Sequence, residues 1–179
     1  MNEKELIERC LKNDNLAQKA LYQAYASKMY AVCLRYGSKR VMADDILQDA
    51  FIKVFKYLPT FKHQGSLEGW IRKIVVNTAL DHIKRYAEPF EDIEENLPDN
   101  FMVNADEITS NLSVQELIDL IQELPEGKRI IFNLYVFEGY SHKEISEMLG
   151  ISIMTSKGQL SKAKKILQDK LLKIKSNII

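Results

Sequence analysis

Apolar side chains recur every three to four residues along most of the chain, and the stripes they form are interrupted only at a few polar, glycine or proline positions. Leu6, Ile7, Cys10 and Leu11 begin the series, and Leu16, Ala20, Leu21, Ala24, Tyr25, Met29, Tyr30, Cys33 and Leu34 continue it. This spacing predicts two helices over residues 2–36, with Asp14 or Asn15 as the N-cap between them and Gly37 closing the second. A short loop at 41–45 follows, in which Asp44 is a candidate N-cap. Ile46, Leu47, Ala50, Phe51, Val54, Phe55 and Leu58 then make one broad buried stripe that leaves Asp45, Gln48, Asp49 and Lys53 outside, until Pro59 ends the helix. A polar loop leads to a helix over 69–86 with Trp70, Ile71, Ile74, Val75 and Ile83 inward. Arg72, Lys73, Asn77, Lys84 and Arg85 face outward, and Asp81 is placed to pair with Arg85 four residues on.

Periodicity lapses from Ala87 and resumes with an amphipathic helix predicted over 112–124. Pro125 opens the next helix, which packs Ile130, Ile131, Leu134 and Phe137 and closes at Gly139. Ser141 and Glu144 have the spacing of a capping box for a short helix ending at Met148 and Leu149. Gly150 follows in a turn, and a helix starting after Ser152 runs from Ile153 to about Lys173. Short helix, glycine turn and long helix form the helix-turn-helix pattern. The long helix buries Leu160, Ala163, Ile166 and Leu167 and leaves Lys157, Ser161, Lys162, Lys164 and Lys165 outside. Seven glycines, four prolines and no alternating strand pattern predict an all-α chain.

Charge changes this picture, because a formal net charge of zero conceals strong segregation. Residues 1–86 hold 15 Lys and Arg against 9 Asp and Glu; residues 87–127 hold none against 12; residues 128–179 hold 10 against 4. Two basic blocks flanking an acidic one suggest two nucleic-acid-facing modules and a connector that does not face nucleic acid. Within the connector, 88–111 carries eight acids, two prolines and no basic residue, and is expected to be a flexible acidic linker. The expected division is thus 1–86, a linker at 87–111, and 112–179. No apolar run approaches a membrane span, and the charged first ten residues lack the form of a signal peptide, so a cytoplasmic protein is expected. Cys10 and Cys33 lie on helical stripes without paired histidines, which predicts buried reduced thiols rather than a metal site.

Read in order, 44–85 contains D-D-x-x-Q-D-x-F-x-x-V-F, F-x-x-x-G-S and W-I-x-x-I-x-x-N-x-x-x-D, and resembles region 2 of bacterial sigma factors of the sigma-70 family, most of all the extracytoplasmic-function (ECF) class. Farther on, L-P-x-x-x-R, F-x-L, E-G-x-S-x-x-E-I and L-G-I-S resemble sigma region 4. The resemblance implies a transcription initiation factor, not an enzyme and without a cofactor. Its implied partners are core RNA polymerase, promoter DNA and an anti-sigma factor. It places Asp45, Gln48, Asp49, Phe51 and Val54 on the polymerase-docking surface. It also implies that the loop Phe61, Lys62, His63, Gln64, Gly65 and Ser66 receives a flipped base of the minus 10 element. Beside that loop, the amide of Asn77 is suited to a base edge and Arg72, Lys73, Lys84 and Arg85 to phosphates, while Phe61 and Trp70 also fit a core. Thr155, Lys157, Gly158, Ser161, Lys162 and Lys165 are implied at the minus 35 element. Departures are concentrated there: many relatives have an acid and a glycine where this chain has Ile153 and Met154, and Ser or Asn where it has Gly158. The linker is implied to thread a basic channel of the polymerase.

Two other readings remain at this point. A free-standing helix-turn-helix regulator would use residues 112–175 but leave 44–85 unexplained. A helical metal-dependent hydrolase would use Asp44, Asp45 and Asp49, although Gln48 stands where a D-D-x-x-D spacing needs an acid.

Overall fold

Asp14 folds the first corner of the chain: its carboxylate accepts the N–H groups of Leu16 and Ala17 at 2.9 and 3.2 Å and pairs with Arg9 at 2.7 Å. These contacts separate α1 (Glu3–Leu11) from α2 (Asn15–Tyr36). The structure, a computed structural model, describes residues 2–37, 39–86 and 113–176, and the expected linker at 87–111 lies outside them. All regular elements among the described residues are helical. The chain divides into two compact units, Met1–Tyr86 and Ala87–Ile179.

In the first unit α2 packs against α1, against α3 (Arg40–Tyr57) and against α4 (Leu67–Tyr86), while α3 and α4 pack on each other. The core contains Leu21, Met29, Tyr36, Ile46, Val54, Leu67, Ile71 and Val75. The expected loop at 41–45 is helical instead. Residue 43 explains why: Ala43 is fully buried, and a Cβ on Gly37 would come within 3.2 Å of its backbone nitrogen. Gly37 therefore serves close approach, with an extended φ of −70° rather than a left-handed cap. Asp44 consequently sits in the second turn of α3, where Tyr30 is hydrogen-bonded to it, and is not an N-cap. α4 begins two residues earlier than expected, because Ser66 Oγ accepts the Gly69 N–H at 3.1 Å.

Cys10 and Cys33 are both buried free thiols. Burial pushes the Cys33 thiol up to about 12, so it keeps its proton. Its contribution to stability is complete below the ordinary thiol value of 9.0 and is lost as pH rises from there through about 12. Iodoacetamide near neutral pH is expected to leave Cys33 unmodified in the folded chain and to alkylate it on unfolding. Rapid labelling of the native protein, read by mass spectrometry, would show that the thiol is accessible.

The second unit comprises α5 (Val114–Gln122), α6 (Glu126–Phe132) continuing into a π-helical turn (Asn133–Phe137), α7 (His142–Leu149) and α8 (Ile153–Ser176). Ser113 and Glu116 form a capping box at the start of α5. Phe137 was expected inside and is exposed. At the π turn the Glu138 N–H reaches back five residues to the Asn133 carbonyl, at 3.1 Å, and this inserted residue swings the following side chains off the buried stripe. Phe137 makes an edge contact with Phe132, centroids 6.0 Å apart.

Candidate functional site

Three surfaces collect the residues singled out by the sequence. On α3, Asp45 and Gln48 are exposed and Asp49 is half-buried, one helical turn apart. They line an open cleft of about 500 Å³ with Lys39, Val41, Met42 and His82. His82 Nε2 lies 2.7 Å from Asp49 Oδ2, which holds the carboxylate in place across thirty-three residues of sequence. Lys53 and Asp81 make a second α3–α4 tie at 2.9 Å; the expected pairing of Asp81 with Arg85 involves a side chain that lies outside the described residues.

Val54 is withdrawn from this surface, and Phe51, almost wholly buried, meets it only as part of the lining of a groove. Phe51 is 3% exposed, with its ring edge-on to Tyr22 at 4.7 Å, and Val54 is 0% exposed. Phe51 fills part of the contact between α2 and α3. The apolar groups most presented along that groove, beside Asp45 and Gln48, are Ile52, 62% exposed, and Tyr22, with Leu47, Phe51 and Phe55 also lining it. Sequence reasoning missed Ile52, yet a signal existed: it is an apolar residue standing outside its helix's own apolar stripe.

The second surface is the turn between α3 and α4. A 3-10 turn (Leu58–Thr60) ends with the Phe61 N–H donating to the Leu58 carbonyl at 3.1 Å. Phe61 is nearly buried, its ring against Trp70 at 5.4 Å and His63 at 4.8 Å, so it anchors the loop rather than facing a ligand. His63 at φ 55° and Gly65 at φ 99° reverse the chain, and Lys62, His63, Gln64, Gly65 and Ser66 are exposed. Ser66 also caps α4. Along α4, Lys73, Asn77 and Lys84 are exposed at spacings that keep them on one side of the helix, while Arg72 is half-buried and engaged by the fold.

The third surface is the helix-turn-helix. Ser141 Oγ accepts the Glu144 N–H at 3.3 Å while Glu144 takes the Ser141 N–H at 2.8 Å. The serine side chain, followed by its backbone N–H, holds the Glu144 carboxyl below the usual range. Glu116 is lowered in the same way, by the Ser113 backbone first. Both contributions are complete above about 4.5 and fade as pH falls through the lowered values. Gly150 takes the left-handed conformation at φ 69°. Ser152 Oγ accepts the Thr155 N–H at 2.9 Å and starts α8.

That cap fixes which side of α8 turns inward. Thr155 is 2% exposed, its hydroxyl 2.8 Å from Ser152 Oγ; Ser156, Gly158, Gln159, Leu160 and Ala163 are buried with it. Thr155 and Gly158 are thus withdrawn from the expected DNA-contact set. Lys157 and Lys165 are exposed, and Ser161 and Lys162 half-buried. His142, not singled out by the sequence, ties α7 to α8 through Nδ1 at 2.9 Å from Ser156 Oγ, and stacks on Tyr135 at 4.6 Å.

Comparison with known proteins agrees with this arrangement. The sigma-70 region 2 model matches residues 21–88 and the sigma-70 region 4 model matches 114–167. The ECF RNA polymerase sigma-E factor of Haemophilus influenzae is 25% identical over 96% of this chain and 96% of its own length. The RNA polymerase sigma-H factor of Pseudomonas aeruginosa is 25% identical over 95% and 93%. Among solved structures, CnrH in complex with the cytosolic domain of CnrY superposes with a TM-score of 0.50 at 18% identity, covering 94% of this chain and 96% of that one. The sigma factor RpoE bound to the anti-sigma factor NepR, from Bartonella quintana, gives 0.50 at 19% identity, over 87% and 96%. With two sigma regions matched in order and relatives aligned along nearly the whole chain, this protein belongs to the sigma-70 family of RNA polymerase sigma factors, in its extracytoplasmic-function group.

Proposed function

We propose that this chain binds core RNA polymerase in the cytoplasm and directs it to promoters, residues 1–86 docking on the polymerase and opening the minus 10 element and residues 112–179 holding the minus 35 duplex. It performs no catalysis of its own. The observation that carries this reading is the pairing, in one chain of the family, of a row made by exposed Asp45 and Gln48 and half-buried Asp49 with a capped helix-turn-helix whose long helix exposes Lys157 and Lys165. Asp45, Gln48 and Asp49 with Ile52 form the polymerase-facing patch, an acidic and apolar surface suited to a basic and apolar partner. Lys62, His63, Gln64 and Gly65 receive the unstacked base, Asn77 reads a base edge, and Arg72, Lys73, Lys84 and Arg85 hold phosphates. Lys157, Ser161, Lys162 and Lys165 contact the upstream duplex. Opening needs no nucleotide hydrolysis, because base capture and polymerase contacts offset stacking of roughly 1.4 kcal/mol per step. The linker at 87–111 spans the polymerase between the two DNA contacts. An anti-sigma factor is the expected regulator, a reading supported by the similarly folded RpoE bound to NepR. Among the described residues no helix is long and apolar enough to cross a membrane.

Run-off transcription with core polymerase on a randomised promoter library tests the reading. Defined start sites are expected only when the chain is added. Failure to associate with core polymerase, together with tight duplex binding by the chain alone, would favour a free-standing helix-turn-helix regulator.

The loop assignment has its own test. Asn77→Ala combined with His63→Gly and Gln64→Gly should leave polymerase binding and upstream binding intact; glycine also suits the positive φ of residue 63. Open-complex formation on paired promoters should fall, and much of it should return on a promoter with a mismatched minus 10 segment, which has already lost part of the opening cost. Permanganate footprints of normal intensity on fully paired DNA would refute the role of this loop.

A further inference from the structure

We propose that Ile153 and Met154 are specificity-determining residues of the upstream contact, reading the 5-methyl groups of thymine in the major groove. The inference rests on the helix-turn-helix reading above and adds which chemical feature of the DNA is selected. Ile153 is 46% and Met154 51% exposed in the first turn of α8, directly beside exposed Lys157. Their orientation is fixed from the opposite side of the helix. The Ser152 cap and the buried Thr155, Ser156, Gln159 and Leu160 hold the rotation of α8 about its axis, leaving 153, 154 and 157 outward.

Two large apolar side chains in water at this point have no role in the unit's own core. The first turn of a recognition helix is where side chains reach base edges. In the major groove thymine alone carries an apolar group on its edge; the other bases present only donors and acceptors, apart from ring carbon. A thioether or an alkyl side chain pressed against those polar edges removes their water and returns no hydrogen bond. Against a thymine methyl the same side chains bury apolar surface on both partners. Met154, unbranched, adapts to the methyl's position, whereas β-branched Ile153 is held to few rotamers. Thr155 and Gly158 are turned inward, so base reading in this part of the helix falls to Ile153 and Met154, with Lys157 beside them toward the phosphates.

The test uses the full chain with core polymerase and upstream elements recovered from a randomised duplex library. Each recovered thymine is replaced in turn by deoxyuridine, which keeps the pairing edge and lacks only the methyl. At one or two positions binding should weaken roughly fourfold per methyl, the worth of one buried CH₂ group. With Ile153→Ala and Met154→Ala together, thymine and deoxyuridine should be bound equally at those positions. A site with no thymine opposite this turn, no deoxyuridine effect, or an effect that persists in the double variant would overturn the inference. A parallel measurement with Lys157→Ala and Lys162→Ala separates it from the underlying reading. If these variants lower the salt slope by about 1 per lost phosphate contact while deoxyuridine has no effect, only methyl reading fails. If neither substitution changes upstream binding, the helix-turn-helix assignment falls and the methyl reading falls with it.

Discussion

Phe51→Ala is expected to destabilise the N-terminal unit by about 3–5 kcal/mol, the usual cost of emptying a buried aromatic site. Against a typical domain stability of roughly 5–15 kcal/mol this is a large share. The ring is 3% exposed and edge-on to Tyr22, with Phe55 6.3 Å away, so the loss empties part of the contact between α2 and α3. Asp45→Arg with Gln48→Ala should behave in the opposite way. Both residues are exposed, and surface changes of this kind usually move stability by no more than about 0.5 kcal/mol. Reversing a charge on the docking patch should nevertheless abolish co-purification with core polymerase. Thermal unfolding and pull-down of the two variants side by side separate the cases. A Phe51→Ala protein of normal stability that no longer binds polymerase would return the ring to the interface.

Arg129→Met should lower the stability of the C-terminal unit by roughly 3 kcal/mol, from two hydrogen bonds made by a charged donor at about 1.5–3 kcal/mol each before relaxation. The buried guanidinium donates through one nitrogen to the carbonyls of Gln122 and Leu124, both at 3.1 Å. Those carbonyls lie at the end of α5, where the helix supplies no partner and carries the negative end of its dipole. Burial lowers the Arg129 pKa, and an arginine guanidinium keeps its charge at neutral pH. Arg129→Lys should recover only part of the loss, because an ammonium on a flexible stem lacks the planar fork. Guanidinium denaturation followed by hydrogen exchange, resolved on residues 113–176, would report the change. Unaltered protection of α5 and α6 would show that the two carbonyls find other donors.

Arg129 illustrates how far the sequence reached. L-P-x-x-x-R was visible as a motif, but its arginine was given no task, since the two carbonyls it fastens become neighbours only after the chain turns at Pro125. His82 is a similar case. Its spacing in the sequence assigns it no role, and its contact with Asp49 spans a separation that no local pattern reports.

What the sequence determined by itself is everything set within one or two helical turns. The all-α class, the capping box of Ser141 and Glu144, the Asp14 cap and the Gly150 turn follow from local hydrogen bonding and backbone preference, which neighbouring residues suffice to specify. The order of motifs gave the family for the same reason. Only the tertiary structure decided which motif residues face outward. A helix packed on one side shows its buried stripe in its period, but α2 is covered by α1, α3 and α4, so no single stripe marks its inner side. The family resemblance, not the period, put Phe51, Val54, Phe61, Thr155 and Gly158 on expected surfaces; the period already set Phe51 and Val54 in a buried stripe, and packing and the Ser152 cap turn all five inward. The ambiguity of a helix's period hid Ile52, Ile153 and Met154, which are apolar and nonetheless exposed, because burial depends on whether a neighbouring element arrives to cover a side chain.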